Sequence, residues 1–133
     1  MKEIYLEVVT PSKSVFSGNI KSLTVPGTLG GFQVLFNHAP IISSFEIGIV
    51  SFTDETNKLF KYCTSGGTVE VQSNKIILLA ETFESKDEID IKRAQDAFER
   101  AKKRLSLENN EKIDVTRAEA ALQRAINRLK FIK

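Results

Sequence analysis

Histidine and cysteine each occur once in this 133-residue chain, and no glycine or proline follows Gly67. The lone cysteine, Cys63, excludes an internal disulfide framework and fits a reducing compartment. Its expected role is strand packing, since a redox or nucleophilic role would want a nearby base and the sequence offers none. The lone histidine, His38, has neither a second histidine nor a cysteine pair with which to complete a metal site. In the turn Asn37-His38-Ala39-Pro40 it reads as a turn or contact residue, not a general base. No phosphate-binding loop, nucleophile elbow or dinucleotide fingerprint occurs, so the chain is expected not to be an enzyme. Long apolar runs are also missing. No segment approaches a membrane span, and Met1–Thr10 lacks the basic-then-apolar pattern of a signal region. Nor is charge one-sided: 19 basic and 17 acidic residues leave a net charge of +2, too mild to argue for nucleic acid or anionic lipid.

The residues that are present divide the chain in two. All seven glycines lie between Gly18 and Gly67, and the three prolines are Pro11, Pro26 and Pro40. Phenylalanine and tyrosine concentrate in Met1–Phe83, which has a slight acidic excess, whereas Glu84–Lys133 carries a basic excess. A boundary near Phe83–Glu88 follows, with Glu84-Ser85-Lys86-Asp87 as a short polar joint between domains spanning 1–84 and 85–133.

The first domain reads as β throughout. Ile4, Leu6 and Val8 alternate with Glu3, Tyr5 and Glu7, the period of a half-buried strand. Further strands are expected at Val15-Phe16, Ile20–Val25, Phe32–Phe36, Ile47–Phe52, Leu59–Cys63, Thr68–Val71 and Ile76–Ala80. Pro11-Ser12, Ser17-Gly18-Asn19, Pro26-Gly27, Asp54–Asn57, Gly66-Gly67 and Ser73-Asn74 supply the turns. Many short strands with frequent turn signals indicate an antiparallel β-sandwich or flattened barrel.

The second domain repeats itself. Ile89–Leu105 reads IDIKRAQDAFERAKKRL and Ile113–Leu129 reads IDVTRAEAALQRAINRL. Ala94, Ala97, Phe98, Ala101 and Leu105, then Ala118, Ala121, Leu122, Ala125 and Leu129, form one apolar helical face in each copy. The polar Ser106–Lys112 between them is short enough to require an antiparallel return. The chain is thus expected to end in an α-helical hairpin with a mostly alanine seam, closely approached but poor in apolar area. Such a seam favours a two-state hairpin that opens readily.

Each repeat begins with Ile-Asp-x-x-Arg-Ala, which supports two readings. In the first, Asp90 and Asp114 are N-caps accepting orphan amide hydrogens, and Ile89 and Ile113 staple onto Ala94 and Ala118 one turn in. In the second, the arginines matter. Arg93, Arg100 and Arg104, with Arg117, Arg124 and Arg128, recur at heptad-like spacing beside the seam. Like charges gathered by a closed hairpin imply acidic neighbours or an anionic ligand, and arginine suits phosphate oxygens.

A small β-sandwich followed by an alanine-rich helical hairpin resembles the ε subunit family of bacterial rotary ATP synthases. Several segments carry the likeness: Val8-Val9-Thr10-Pro11, Val25-Pro26-Gly27, His38-Ala39-Pro40, Ser65-Gly66-Gly67 with Val69-Glu70-Val71, and the hairpin repeat. The resemblance implies a rotor subunit of the central stalk at the cytoplasmic face of the bacterial membrane, associated with that membrane only through the complex. Its implied partners are the γ subunit, the c-ring and the catalytic α and β subunits, with the C-terminal helices restraining ATP hydrolysis. Leu29, Phe32, Phe36 and His38 would lie in the c-ring loop, and Lys102, Lys103 and Arg104 would face the catalytic subunits. No cofactor is required, but family members that bind regulatory ATP use an upstream acid, the Ile/Leu-Asp-x-x-Arg-Ala motif and later arginines. The matching positions are Glu84, Ile89, Asp90, Arg93, Ala94, Arg100, Arg124 and Arg128. This chain departs from the family at Gly30-Gly31-Phe32-Gln33 and Phe36-Asn37, where an acidic loop residue is replaced and the loop becomes more apolar. The alternative is a small nucleic-acid-binding adaptor using the basic hairpin. Against it stand the interspersed acids and only two aromatics in that half, Phe98 and Phe131, able to stack on bases.

Overall fold

The computed structural model describes residues 3–106 and 115–133. Residues up to Ser85 form one compact unit and those from Lys86 onward another. The first holds nine strands: β1 (Ile4–Val9), β2 (Ser14–Val25), β3 (Phe32–Val34), β4 (Ile41–Phe45), β5 (Gly48–Asp54), β6 (Leu59–Thr64), β7 (Gly67–Gln72), β8 (Lys75–Ala80) and β9 (Phe83–Glu84). The second holds α1 (Ile91–Ser106) and α2 (Val115–Phe131), preceded by one 3-10 turn over Lys86–Glu88. The expected architecture of a β-sandwich followed by two helices is therefore present.

Alternating burial forms β1, as its sequence pattern predicts: Ile4, Leu6 and Val8 are buried while Tyr5 is exposed. The strands run in the order β4-β7-β8-β1-β2-β5-β6-β9, with β3 added against the end of β2. All pairings are antiparallel except β1 with β8, which is parallel. An isolated bridge between Gly27 and Phe45 joins the end of β2 to the edge strand β4. The Thr28 amide donates to the Ser44 carbonyl at 3.2 Å and the Glu46 amide to the Pro26 carbonyl at 3.0 Å. These contacts bring the β4 edge to the end of β2. Leu6, Ile20, Leu23, Val25, Val50, Phe52, Val69 and Leu78 fill the core.

Four sequence expectations are corrected. Ser17-Gly18-Asn19 is not a turn, because all three residues are ladder partners of Glu7, Leu6 and Tyr5 within the twelve-residue β2. Edge strand β4 was not anticipated, because its two serines dilute the apolar pattern and one of its faces meets no neighbouring core. Glu84 belongs to β9, opposite Cys63, and not to a polar joint. Phe36 also falls outside its expected strand, since β3 stops at Val34.

The helices pack against one another, but they bury little. Their buried residues are Ala94, Ala101, Ala118 and Ala125, seven apart in each helix. Ala97, Phe98, Leu105, Ala121, Leu122 and Leu129 are half-buried. Burying a methyl group contributes only about 0.8 kcal/mol, against about 1.5–3 kcal/mol for a whole Val, Leu, Ile or Phe side chain in the sandwich. Residues 107–112 of the expected connector, and the expected staple Ile113 and cap Asp114, lie outside the described residues.

The β5–β6 turn rests on one carboxylate. Asp54 Oδ1 accepts from the Thr56 hydroxyl at 2.7 Å, the Thr56 amide at 2.9 Å and the Lys58 amide at 3.0 Å. The Thr56 hydroxyl bond is the main cause holding the Asp54 pKa below its usual value of 3.8, aided by the amides and by the Lys58 charge. A depressed folded-state pKa adds stability that is present above the unfolded value and is lost as pH falls through the folded one. Asp54→Asn should therefore lower the Tm at neutral pH. The gap from the unmodified protein should close in acid below the ordinary carboxylate range, as read by thermal melts across pH.

Candidate functional site

Two surfaces concentrate the residues singled out in the sequence, one in each unit. The first is the stretch between β2 and β4. A turn closes where the Gly30 amide donates to the Gly27 carbonyl at 3.0 Å, with Gly30 at φ +124°. The Leu29 side chain projects fully into solvent from that turn. After the short β3, the His38 amide donates to the Leu35 carbonyl at 3.1 Å, with Asn37 at φ +62°. This is the i+2 geometry of a type II turn, which asparagine tolerates. Leu35 is 51% exposed and Phe36 36% exposed at its tip. His38 is half-buried, its Nδ1 paired at 2.7 Å with the Ala39 carbonyl oxygen.

Not every expected loop residue lies on this surface. Phe32 is in β3, half-buried against the core, and its ring sits so close over Gly27 that a Cβ there would be 2.8 Å away. Leu35 is a further exposed apolar residue that strand patterning hides, and the signal for it is the apolar pair Leu35-Phe36 entering the Asn37-His38 turn.

The second surface is the start of α1 and its arginine row. Asp90 Oδ1 accepts the Arg93 amide at 3.1 Å, and the Asp90 carbonyl accepts the Ala94 amide at 3.0 Å. That is an N-cap bonded to the third helical residue. Ile89 is buried one residue before the cap and Ala94 is buried one turn in, the positions of a hydrophobic staple. The structure thus brings Asp90 and Arg93 together through the Arg93 backbone, while the Arg93 side chain is exposed. Arg100 and Arg104 are exposed on α1, and Arg124 and Arg128 are half-buried on α2. Seven residues are close to two helical turns, so Arg93 and Arg100 share a face, as do Arg124 and Arg128 at a spacing of four. Glu99, Arg100, Lys102, Lys103 and Ser106 line a shallow depression on α1. The Lys102 ammonium lies 5.9 Å from the Phe98 ring centroid. Glu84 is half-buried in β9 of the other unit.

Two family models match in succession along the chain. Residues 3–86 match the β-sandwich domain of the ATP synthase delta/epsilon chain, and residues 87–133 match its long α-helix domain. The chain belongs to the ATP synthase delta/epsilon chain family. An ATP synthase epsilon chain from Pelotomaculum thermopropionicum is 48% identical over 101 residues, 76% of this chain and 75% of that one. Another from Carboxydothermus hydrogenoformans is 46% identical over 104 residues, 78% of this chain and 77% of that one. A chain in the Euglena gracilis mitochondrial ATP synthase assembly of OSCP, F1 and c-ring has the same fold. Its TM-score is 0.85 at 20% identity, covering all of this chain and 83% of that one. Members of the delta/epsilon family are subunits of a larger complex, and no helix among the described residues here is long and apolar enough to cross a membrane.

The cap makes a direct prediction. Asp90→Ala should destabilise the start of α1 by about 1 kcal/mol, while Asp90→Ser should restore most of the loss. Amide exchange at Arg93 reads this, rising in the alanine variant and returning towards the unmodified rate in the serine variant.

Proposed function

We propose that the chain is a non-catalytic subunit of the central stalk of a proton-translocating ATP synthase, riding on the rotor at the cytoplasmic face of a bacterial membrane. The observation that carries this reading is the unbroken pair of family matches over residues 3–86 and 87–133. In this reading the β unit is the assembly platform, meeting the γ subunit with one face and the c-ring with the loop that exposes Leu29, Leu35 and Phe36. Exposed apolar loop residues on a rigid scaffold commonly mark a partner surface. The hairpin is the regulatory part. Its basic side chains, Lys102, Lys103 and Arg104 among them, would face acidic segments of the catalytic subunits and resist hydrolytic rotation.

The alanine seam supports a hairpin that opens. Exposed ion pairs along such helices add only about 0–1 kcal/mol each. A closed hairpin held mainly by alanine contacts lies near balance with an open form that offers its faces to a partner. A variant ending at Glu84 should still join the complex and support coupled ATP synthesis, while the complex containing it hydrolyses ATP faster. Loss of binding by a truncated domain that remains folded would overturn the platform assignment, and unchanged hydrolysis would overturn the restraint.

The ligand assigned to the arginine row in this reading is ATP. Arg93 and Arg100, exposed on one face of α1, carry guanidinium groups whose geometry suits phosphate oxygens, and Arg124 and Arg128 would add theirs from α2. Asp90 and Ile89 shape the helix start from which Arg93 projects. A ligand that binds the closed hairpin alone stabilises it by mass action. Arg93→Ala should weaken ATP binding about tenfold or more while changing the Tm of the free protein little. Calorimetry with millimolar ATP that registers no heat for the unmodified protein would remove ATP from the account.

A further inference from the structure

We propose that Asn74 is a positioning residue for the Leu35–Phe36 tip, holding it in the shape in which it meets the rotor ring. The inference rests on the docking role given to that loop above. Residues 35–40 lie between β3 and β4 and belong to neither strand. The tip is tied to the rest of the sandwich by a reciprocal pair of bonds with a residue 37 positions away. The Asn37 amide donates to Asn74 Oδ1 at 2.7 Å, and Asn74 Nδ2 donates to Asn37 Oδ1 at 3.1 Å.

Asn74 is itself held firmly. It sits in the two-residue turn joining β7 to β8, where Gln72 and Lys75 are ladder partners. Its carbonyl accepts the Tyr5 amide at 3.0 Å, which anchors the turn to the beginning of β1. Ser73 and Asn74 have φ of +50° and +60°, both positive as in a type I′ hairpin turn. That turn prefers glycine at its second position. The chain instead carries a side chain there, in a backbone conformation that an L-residue adopts at some cost, and the side chain is the one bonded to Asn37. Both ends of the clamp are asparagines with positive φ, and the Asn74 side chain meets both the backbone N–H and the side-chain oxygen of Asn37.

Without the clamp, Leu35 and Phe36 would ride on a six-residue connection and would have to be ordered on binding. With it, the apolar tip is presented preformed, which raises affinity by removing that cost. The partner is the c-ring, the one proposed above for this loop.

Asn74→Gly separates turn from clamp, because glycine is the preferred residue at that backbone angle and carries no amide. The full-length variant should keep its Tm, lose amide-exchange protection at Asn37, and bind about tenfold more weakly to detergent-solubilised ATP synthase stripped of this subunit. Asn74→Asp, which retains the acceptor for the Asn37 amide, should recover most of the affinity. Leu35→Ser with Phe36→Ser is the companion variant. If it weakens binding and Asn74→Gly does not, the positioning role is overturned and the docking role stands. If neither weakens binding, the docking role fails and the positioning role with it. Weakened binding by Asn74→Gly with the Asn37 amide still protected would also overturn the clamp.

Discussion

The β unit depends on the two-sided pairing of β2. Its first half is bonded to β1 and its second half to β5 and β3, and the residues just beyond its end bridge to β4. The change of partner occurs where the register with β5 shifts between Ile20 and Ser22. Irregularities of this kind bend and twist a strand, and here the bend lets one continuous sheet fold over its own core. Ile20, Leu23 and Val25 point inward along the same strand and are fully buried. The turns that carry the exposed loop residues are therefore displayed from a rigid base.

The two units are stabilised in different ways, and the difference matches their proposed tasks. The sandwich buries large aliphatic and aromatic side chains, including a run of rings in which Phe52 stacks on Phe60 at 5.0 Å and Tyr62 on Phe83 at 4.4 Å. Ring pairs at such distances add to the area they bury. Gly67 shows how tightly the sheet is packed, since a Cβ there would run into the Leu79 carbonyl oxygen. The hairpin buries alanines at its seam and keeps its arginines outside or at the margin. A platform requires the first kind of packing, and a part that changes partners requires the second.

Local signals were the most legible. The cap at Asp90 and its buried neighbour Ile89 could be read directly, because a capping residue acts on amides three positions away in the sequence. The alanine seam was readable from helical spacing, since a helix converts spacing into a face without help from the rest of the fold. Gly18 and Asn19 suggest a turn in the middle of what is one continuous strand, β2. Turn chemistry is a weak preference, and ladder bonds to β1 override it. The glycines around Phe32 suggest an exposed loop, but pairing with Val25 turns its ring back over Gly27.

By itself the sequence determined the two-part architecture, the start of α1, the alanine faces of the helices and the family resemblance, because each is written in residues that lie near one another along the chain. Only the tertiary structure decided that β1 and β8 run parallel, that β4 closes the sandwich, that Leu35 stands exposed while Phe32 does not, and that Asn37 finds Asn74. These features depend on pairings between strands and turns, several of them between residues tens of positions apart. No local preference encodes them, and they exist only once the sheet has brought its distant strands and turns together.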